Sequence, residues 1–132
     1  MILAVCLFVG CTGKACNDVG ATSGVTFDVS QITADRTGHV HVRACVEGSC
    51  VTRIASATRW NQVPVNDPLI AGPGSVSVHL TITEPNGRSI FDETTEIQLH
   101  ILQPNGPDCP PTAYVAAVAA TPDGQLAQLP KP

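Results

Sequence analysis

The chain has 132 residues, enough for one domain and too few for two ordinary ones. Charged residues are only 14% of it, against roughly 25% in a typical soluble chain, and its seven Lys and Arg are scattered, which leaves no basic stripe for nucleic acid. A formal charge of −4, 4% aromatics and eleven each of Gly and Pro describe a turn-rich chain, better suited to an all-β extracellular domain than to a cytosolic enzyme.

The first eleven residues, "MILAVCLFVGC", form an apolar run. A membrane-spanning helix takes about 20 residues, so the run is too short to span, but it fits the apolar region of a secretory signal peptide. Its end, Phe8-Val9-Gly10-Cys11, resembles a bacterial lipobox, in which small residues precede a cysteine that is acylated after cleavage. The resemblance implies a signal peptide over 1–10 and lipidation at Cys11. Phe8 stands where Leu is commonest, and no Lys or Arg precedes the run; a translation start set too late would account for the latter. The competing reading is a buried N-terminal strand, because "LAVCLFV" is also β-prone. The polar residues 12–20 read as a tether and favour the signal. The expected division is a signal peptide at 1–10, a lipid-anchored tether at 11–21 and a folded domain at 22–132.

Further along, Val25, Phe27 and Val29 alternate with Thr26 and Asp28, the period of two of a half-buried strand. Val40, Val42, Ala44 and Val46 alternate with His39, His41, Arg43 and Cys45. Trp60 precedes "NQVPV", where Pro64 confines a strand to a sheet edge. Val76, Val78, Leu80 and Ile82 alternate with small polar residues and His79, and Thr95, Ile97, Leu99 and Ile101 alternate with Glu96, Gln98 and His100. Residues 114–120 read as a less polar strand buried on both faces. Asn86-Gly87 and Asp123-Gly124 are turn signals, 66–74 and 103–111 are longer loops, and Asp92-Glu93-Thr94 reads as a solvated turn. No window carries apolar residues at helical spacing. About seven short strands divided by turns predict an all-β domain: a single antiparallel β-sandwich of Ig-like or transthyretin-like topology, its apolar faces packed about 10 Å apart.

The stretch "HVHVRACVEGSC", 39–50, admits a metal site, a redox site or a stapled hairpin. Removal of the signal takes Cys6 with it and leaves Cys16, Cys45, Cys50 and Cys109 besides Cys11. Four cysteines in an exported domain predict two disulfides. A two-residue turn at Glu47-Gly48 would set Cys45 opposite Cys50, where Cα atoms of a non-hydrogen-bonded pair approach to about 4.5 Å, within a disulfide's range. The expected bridges are Cys45–Cys50 and Cys16–Cys109. His39 and His41 point to one side of their strand and could meet one ion, but structural zinc takes four ligands and the bridge consumes Cys45. Solvated histidines are the ordinary case, so no metal is expected first, with His39 and His41 as the alternative ligands. The spacing of Cys45 and Cys50 is not the Cys-x-x-Cys of redox domains, and no helix N-terminus is at hand to activate a thiol.

Ser, His and Asp all occur, but there is no Gly-x-Ser-x-Gly elbow, no phosphate loop and no EF-hand spacing. Asp92 and Glu93 are adjacent and would point to opposite faces of a strand. No catalytic residue and no cofactor is expected.

Cys16, Ser23-Gly24-Val25, the "CVEGSC" hairpin and "PNGPDCPPTAYVAAV" from Pro104 onward together resemble a group of small secreted lipoproteins of high-GC Gram-positive bacteria. That group often shows a Cys soon after the lipid site, a C-x-x-G-x-C hairpin and a Pro-Gly-rich loop carrying the last Cys. The resemblance covers most of the chain after Cys11, its motifs are structural, and it implies no activity. The functional expectation is an extracytoplasmic module anchored to the outer face of the cell membrane by its N-terminal lipid. It would bind an envelope or protein ligand through loops 66–74 and 103–111, if these share an end. A surface copper or zinc protein using His39 and His41, with His79 or His100, and a small secreted protease inhibitor are the alternatives.

Overall fold

The computed structural model describes residues 16–131; the apolar run and Cys11 lie outside the described residues. Nine strands and one helical turn follow in order: β1 (Gly24–Asp28), α1 (Ser30–Thr33), β2 (Val40–Val46), β3 (Ser49–Ala55), β4 (Gln62–Asn66), β5 (Ser75–Thr83), β6 (Ser89–Gln98), β7 (His100–Leu102), β8 (Ala113–Ala120) and β9 (Leu126–Gln128). They form two sheets. One has the order β4-β1-β8-β7, with β9 also paired to β8, and the other has the order β3-β2-β5-β6.

Alternation drives this arrangement, because successive strand side chains point to opposite faces. In β5, Val76, Val78, Leu80 and Ile82 all turn inward and are buried. Phe27 of β1, Val42 of β2 and Val118 of β8 meet them in one core drawn from both sheets. Burying a Val, Leu or Phe side chain fully stabilises by roughly 1.5–3 kcal/mol, so a core of this many residues holds the sandwich despite its few aromatics. β8 is flanked by β1 on one side and by β7 and β9 on the other, and Ala116, Val118, Ala119 and Ala120 are buried. The all-β sandwich with two disulfides is therefore the architecture. One pair within it, β1 with β8, runs parallel, and every other strand pair is antiparallel.

Three expectations change. The described residues hold nine strands where about seven are expected. Asp92-Glu93-Thr94 is not a turn but the middle of β6, paired with Thr81, Leu80 and His79 of β5. The alternating run from Thr95 to Ile101 is not one strand: β6 ends at Gln98 in one sheet and β7 begins at His100 in the other. Buried Leu99 makes the crossing, its N–H donating to the Gly74 carbonyl at 2.9 Å. Pro64 does lie on an edge strand, since among the described residues β4 pairs only with β1.

The strands leave two ends. The loop end gathers the starts of β1 and β8, the finishes of β4 and β7, and the β2–β3 turn. The turn end gathers α1, the β3–β4 connection and the short turns after β5 and β8.

Candidate functional site

Loops 66–74 and 103–111 do share one end. Gly24 of β1 pairs with Asn66 on one side and Val115 on the other, which brings the exit of β4 beside the entry of β8. Ser23 joins both: its carbonyl accepts from Asp67 N–H at 2.9 Å, and its hydroxyl accepts from Tyr114 N–H at 3.0 Å. A Cβ on Gly24 would collide with the Val65 carbonyl, so this close approach requires glycine.

The bridge Cys16–Cys109 is present, with Cα atoms 5.5 Å apart. Buried Asn105 works beside it. Its Oδ1 accepts from Val19 N–H at 3.2 Å, and its amide nitrogen donates to the carbonyls of Val19 at 2.9 Å and Pro110 at 2.8 Å. From Cys16 onward the stretch expected as a tether is thus docked against the 103–111 loop. An open depression of about 540 Å³ lies nearby, lined by Glu47, Ser49, Asp67, Leu69, Ile70 and Val76, with Leu69 86% exposed. Asp18, Glu47, Asp67 and Asp108 give this end a negative character, and no Lys or Arg occurs in 16–23, 47–48, 66–74 or 103–111.

The hairpin at 45–50 forms as expected. Val46 pairs with Ser49 and Cys45 with Cys50, the bridge linking Cα atoms 4.1 Å apart. Glu47 takes the left-handed conformation, φ 53, that the turn demands. Its N–H donates to Ser77 O and its carboxylate accepts from Ser77 N–H, each at 2.9 Å, which offsets the roughly 1–2 kcal/mol such a conformation costs.

The four histidines do not converge. The His39 and His41 rings stand edge to face with centroids 5.5 Å apart. His79 lies opposite Cys45 on the next strand, and His100 belongs to the other sheet. Among the described residues no group of three His, Cys, Asp or Glu could hold a metal ion. His79 Nε2 meets Asp92 Oδ1 at 2.7 Å and Thr81 Oγ1 at 3.3 Å. Both partners share one ring nitrogen, whereas a nucleophile–base–orienter relay needs them on opposite nitrogens. The cluster can orient a ring but cannot pass a proton along a triad.

A constellation that the spacing of residues does not reveal lies at the turn end. Ser56 and Arg59 form an isolated bridge, with Ser56 N–H donating to Arg59 O at 2.8 Å. Asn61 then fastens the chain on two sides: its amide nitrogen donates to Ala57 O at 2.9 Å, and its Oδ1 accepts from Thr33 Oγ1 at 2.7 Å. Trp60, caught between these anchors, sits at φ 57 and remains 43% exposed. The Arg53 guanidinium carbon stands 5.0 Å from the Trp60 ring centroid, a cation–π contact. An open groove of about 420 Å³ runs past His39, Arg53, Ile54, Arg59 and Trp60. The readable signal was the chain's only Trp next to an Arg in a connection; its conformation and the groove required the fold. No protein-family model, no curated protein and no solved structure matches the chain.

Proposed function

We propose that the protein is a binding module of the cell envelope, anchored through an acylated Cys11 to the outer face of a membrane, with its turn end directed away from the bilayer. Two disulfides suit an oxidising, extracytoplasmic compartment. Among the described residues no helix is long and apolar enough to cross a membrane, and an acylated cysteine would supply the attachment.

The observation that carries the reading is the place of the Cys16–Cys109 bridge. It fixes the start of the folded part to the loop end, and only four residues separate Cys16 from Cys11. Fully extended, that connection reaches about 17 Å, so an anchor at Cys11 would hold the loop end against the bilayer. Loops 66–74 and 103–111 would then face lipid, and exposed Leu69 would meet the headgroup region. The turn end would be left to the ligand. The metal-handling and protease-inhibitor alternatives draw on no comparable observation.

The test is expression of the full chain in a bacterium with lipoprotein processing, fed labelled palmitate. The expected result is a labelled protein that partitions into the detergent phase, with both properties lost in Cys11→Ala. An unlabelled protein confined to the aqueous phase overturns the anchoring.

A further inference from the structure

Trp60 is the chain's only tryptophan, and it is spent on the surface while Phe27 and Phe91 fill the core. Its left-handed backbone costs of the order of 1–2 kcal/mol, and the 56–59 bridge and Asn61 hold it there from both sides. No carboxylate among the described residues lines the groove beside it. Among the described residues neither Arg53 nor Arg59 pairs with an acid, whereas Arg36, a short distance along the same end, meets Glu84 at 3.5 Å. Arg43, paired with Thr52 in the β2–β3 register, stands apart from them on the outer face of the sheet. In a chain of net charge −4, with eleven acidic residues against seven basic, Arg53 and Arg59 line one groove at the turn end.

We propose that the groove formed by Trp60, Arg53 and Arg59 is a binding site for an acidic saccharide, a short glycan bearing carboxylate groups. An indole ring offers a flat, polarisable face for the C–H face of a pyranose ring. A guanidinium fork matches a carboxylate with two parallel hydrogen bonds. Arg53, over the indole and donating to Thr52 O at 2.9 Å, stiffens the platform and sets its charge beside one ring face. Exposed Arg59 reaches from the adjoining turn. A single-stranded nucleic acid would call for several aromatic platforms to stack successive bases; this groove provides one. A lipid headgroup is set aside only because the proposed anchoring turns this end away from the bilayer, and that exclusion rests on that reading. The site itself does not.

Because Trp60 is the sole indole, its fluorescence reports the site directly. The full chain, purified in mild detergent, is titrated with tetragalacturonate, with the neutral cellotetraose, with a thymidine tetranucleotide and with anionic lipid vesicles. The expected result is a saturable change with tetragalacturonate that weakens at high salt. Cellotetraose should bind at least about tenfold more weakly, as should tetragalacturonate to Arg59→Gln, the loss of a charge-assisted contact. Arg59 is exposed, so Arg59→Gln should melt with the wild type. Arg53→Gln, which also loosens the ring, serves as a second variant. Equal binding of cellotetraose, tighter binding of the tetranucleotide or the vesicles, or silence with every probe in a folded protein each overturns the proposal. Phase partition is scored on the same preparation. Binding without acylation sinks the anchoring and leaves the site standing, while acylation without binding sinks the site alone.

Discussion

The two ends of the sandwich solve the same problem differently. At the loop end the chain makes long connections, and it closes them with the Cys16–Cys109 bridge, the Asn105 hydrogen bonds and the Ser23 contacts. At the turn end the 29–39 connection folds through α1, and the other connections are shorter and close themselves through backbone hydrogen bonds: Gly87 N–H to Glu84 O at 2.9 Å, Gly124 N–H to Thr121 O at 3.0 Å, Ser56 N–H to Arg59 O at 2.8 Å. Closing a loop costs more entropy as it lengthens, so side chains at the loop end are consumed in holding it. At the turn end Asn61 and Thr33 are consumed in the same way, but exposed Arg59 and Trp60 are left to project. The end that needs least chemistry to fold is the one that can offer chemistry to a partner.

Several substitutions test that asymmetry. Replacing Cys16 and Cys109 together by Ser removes a cross-link spanning 93 residues and should lower stability by about 4–5 kcal/mol, read as the midpoint of denaturant unfolding. Amide exchange should rise first in 103–111. The Cys45→Ser/Cys50→Ser pair spans five residues and should cost about 2 kcal/mol; a loss as large as that of the first pair would remove the distinction between long and short closures. Asn105→Ala leaves the Val19 and Pro110 backbone groups unpartnered and should cost about 1–2 kcal/mol, with faster cleavage of the 16–20 segment by protease. The smallest effect is expected from Trp60→Asn. Asn tolerates the left-handed conformation, so stability should stay within about 1 kcal/mol of wild type while tetragalacturonate binding, read by titration calorimetry because the indole reporter is gone, is lost. A collapse in melting temperature would instead make Trp60 a structural residue and place both ends on the same footing.

Much of the frame is legible in the sequence because local rules set it. The β5 alternation names its buried face, Pro64 names an edge, and the two-residue spacing between Val46 and Ser49 dictates that Cys45 meets Cys50. β6 hid for a physical reason. It is an edge strand, so Glu93 and Thr95 can occupy inward positions and still reach solvent beside buried Phe91 and Ile97, and the apolar period breaks. The crossing at Leu99 was invisible because a bend between two sheets leaves the period of two intact on both sides. The groove at Trp60 was hidden differently. Arg53, Arg59 and Trp60 are close in sequence, but whether an indole stands out from a turn or folds onto the core depends on a backbone conformation fixed by Asn61 and Thr33, the latter from a distant element. Its charge was masked too, since a scattered set of arginines in an acidic chain gives no stripe.

The parallel pairing of β1 and β8 bears on how the molecule would answer to force. Both strands start at the loop end, where Cys16 is bonded to Cys109 just ahead of β8. A pull on the N-terminus therefore enters β1 and β8 together instead of peeling one from the other. If a ligand held at Trp60 resists, the load leaves through β4, antiparallel to β1 over five paired residues. Ladder hydrogen bonds lie across the strands, so tension along them loads the whole set at once in shear, not one bond at a time as in unzipping. A domain tied down at one end and holding a glycan at the other would then carry the load across its strands in shear.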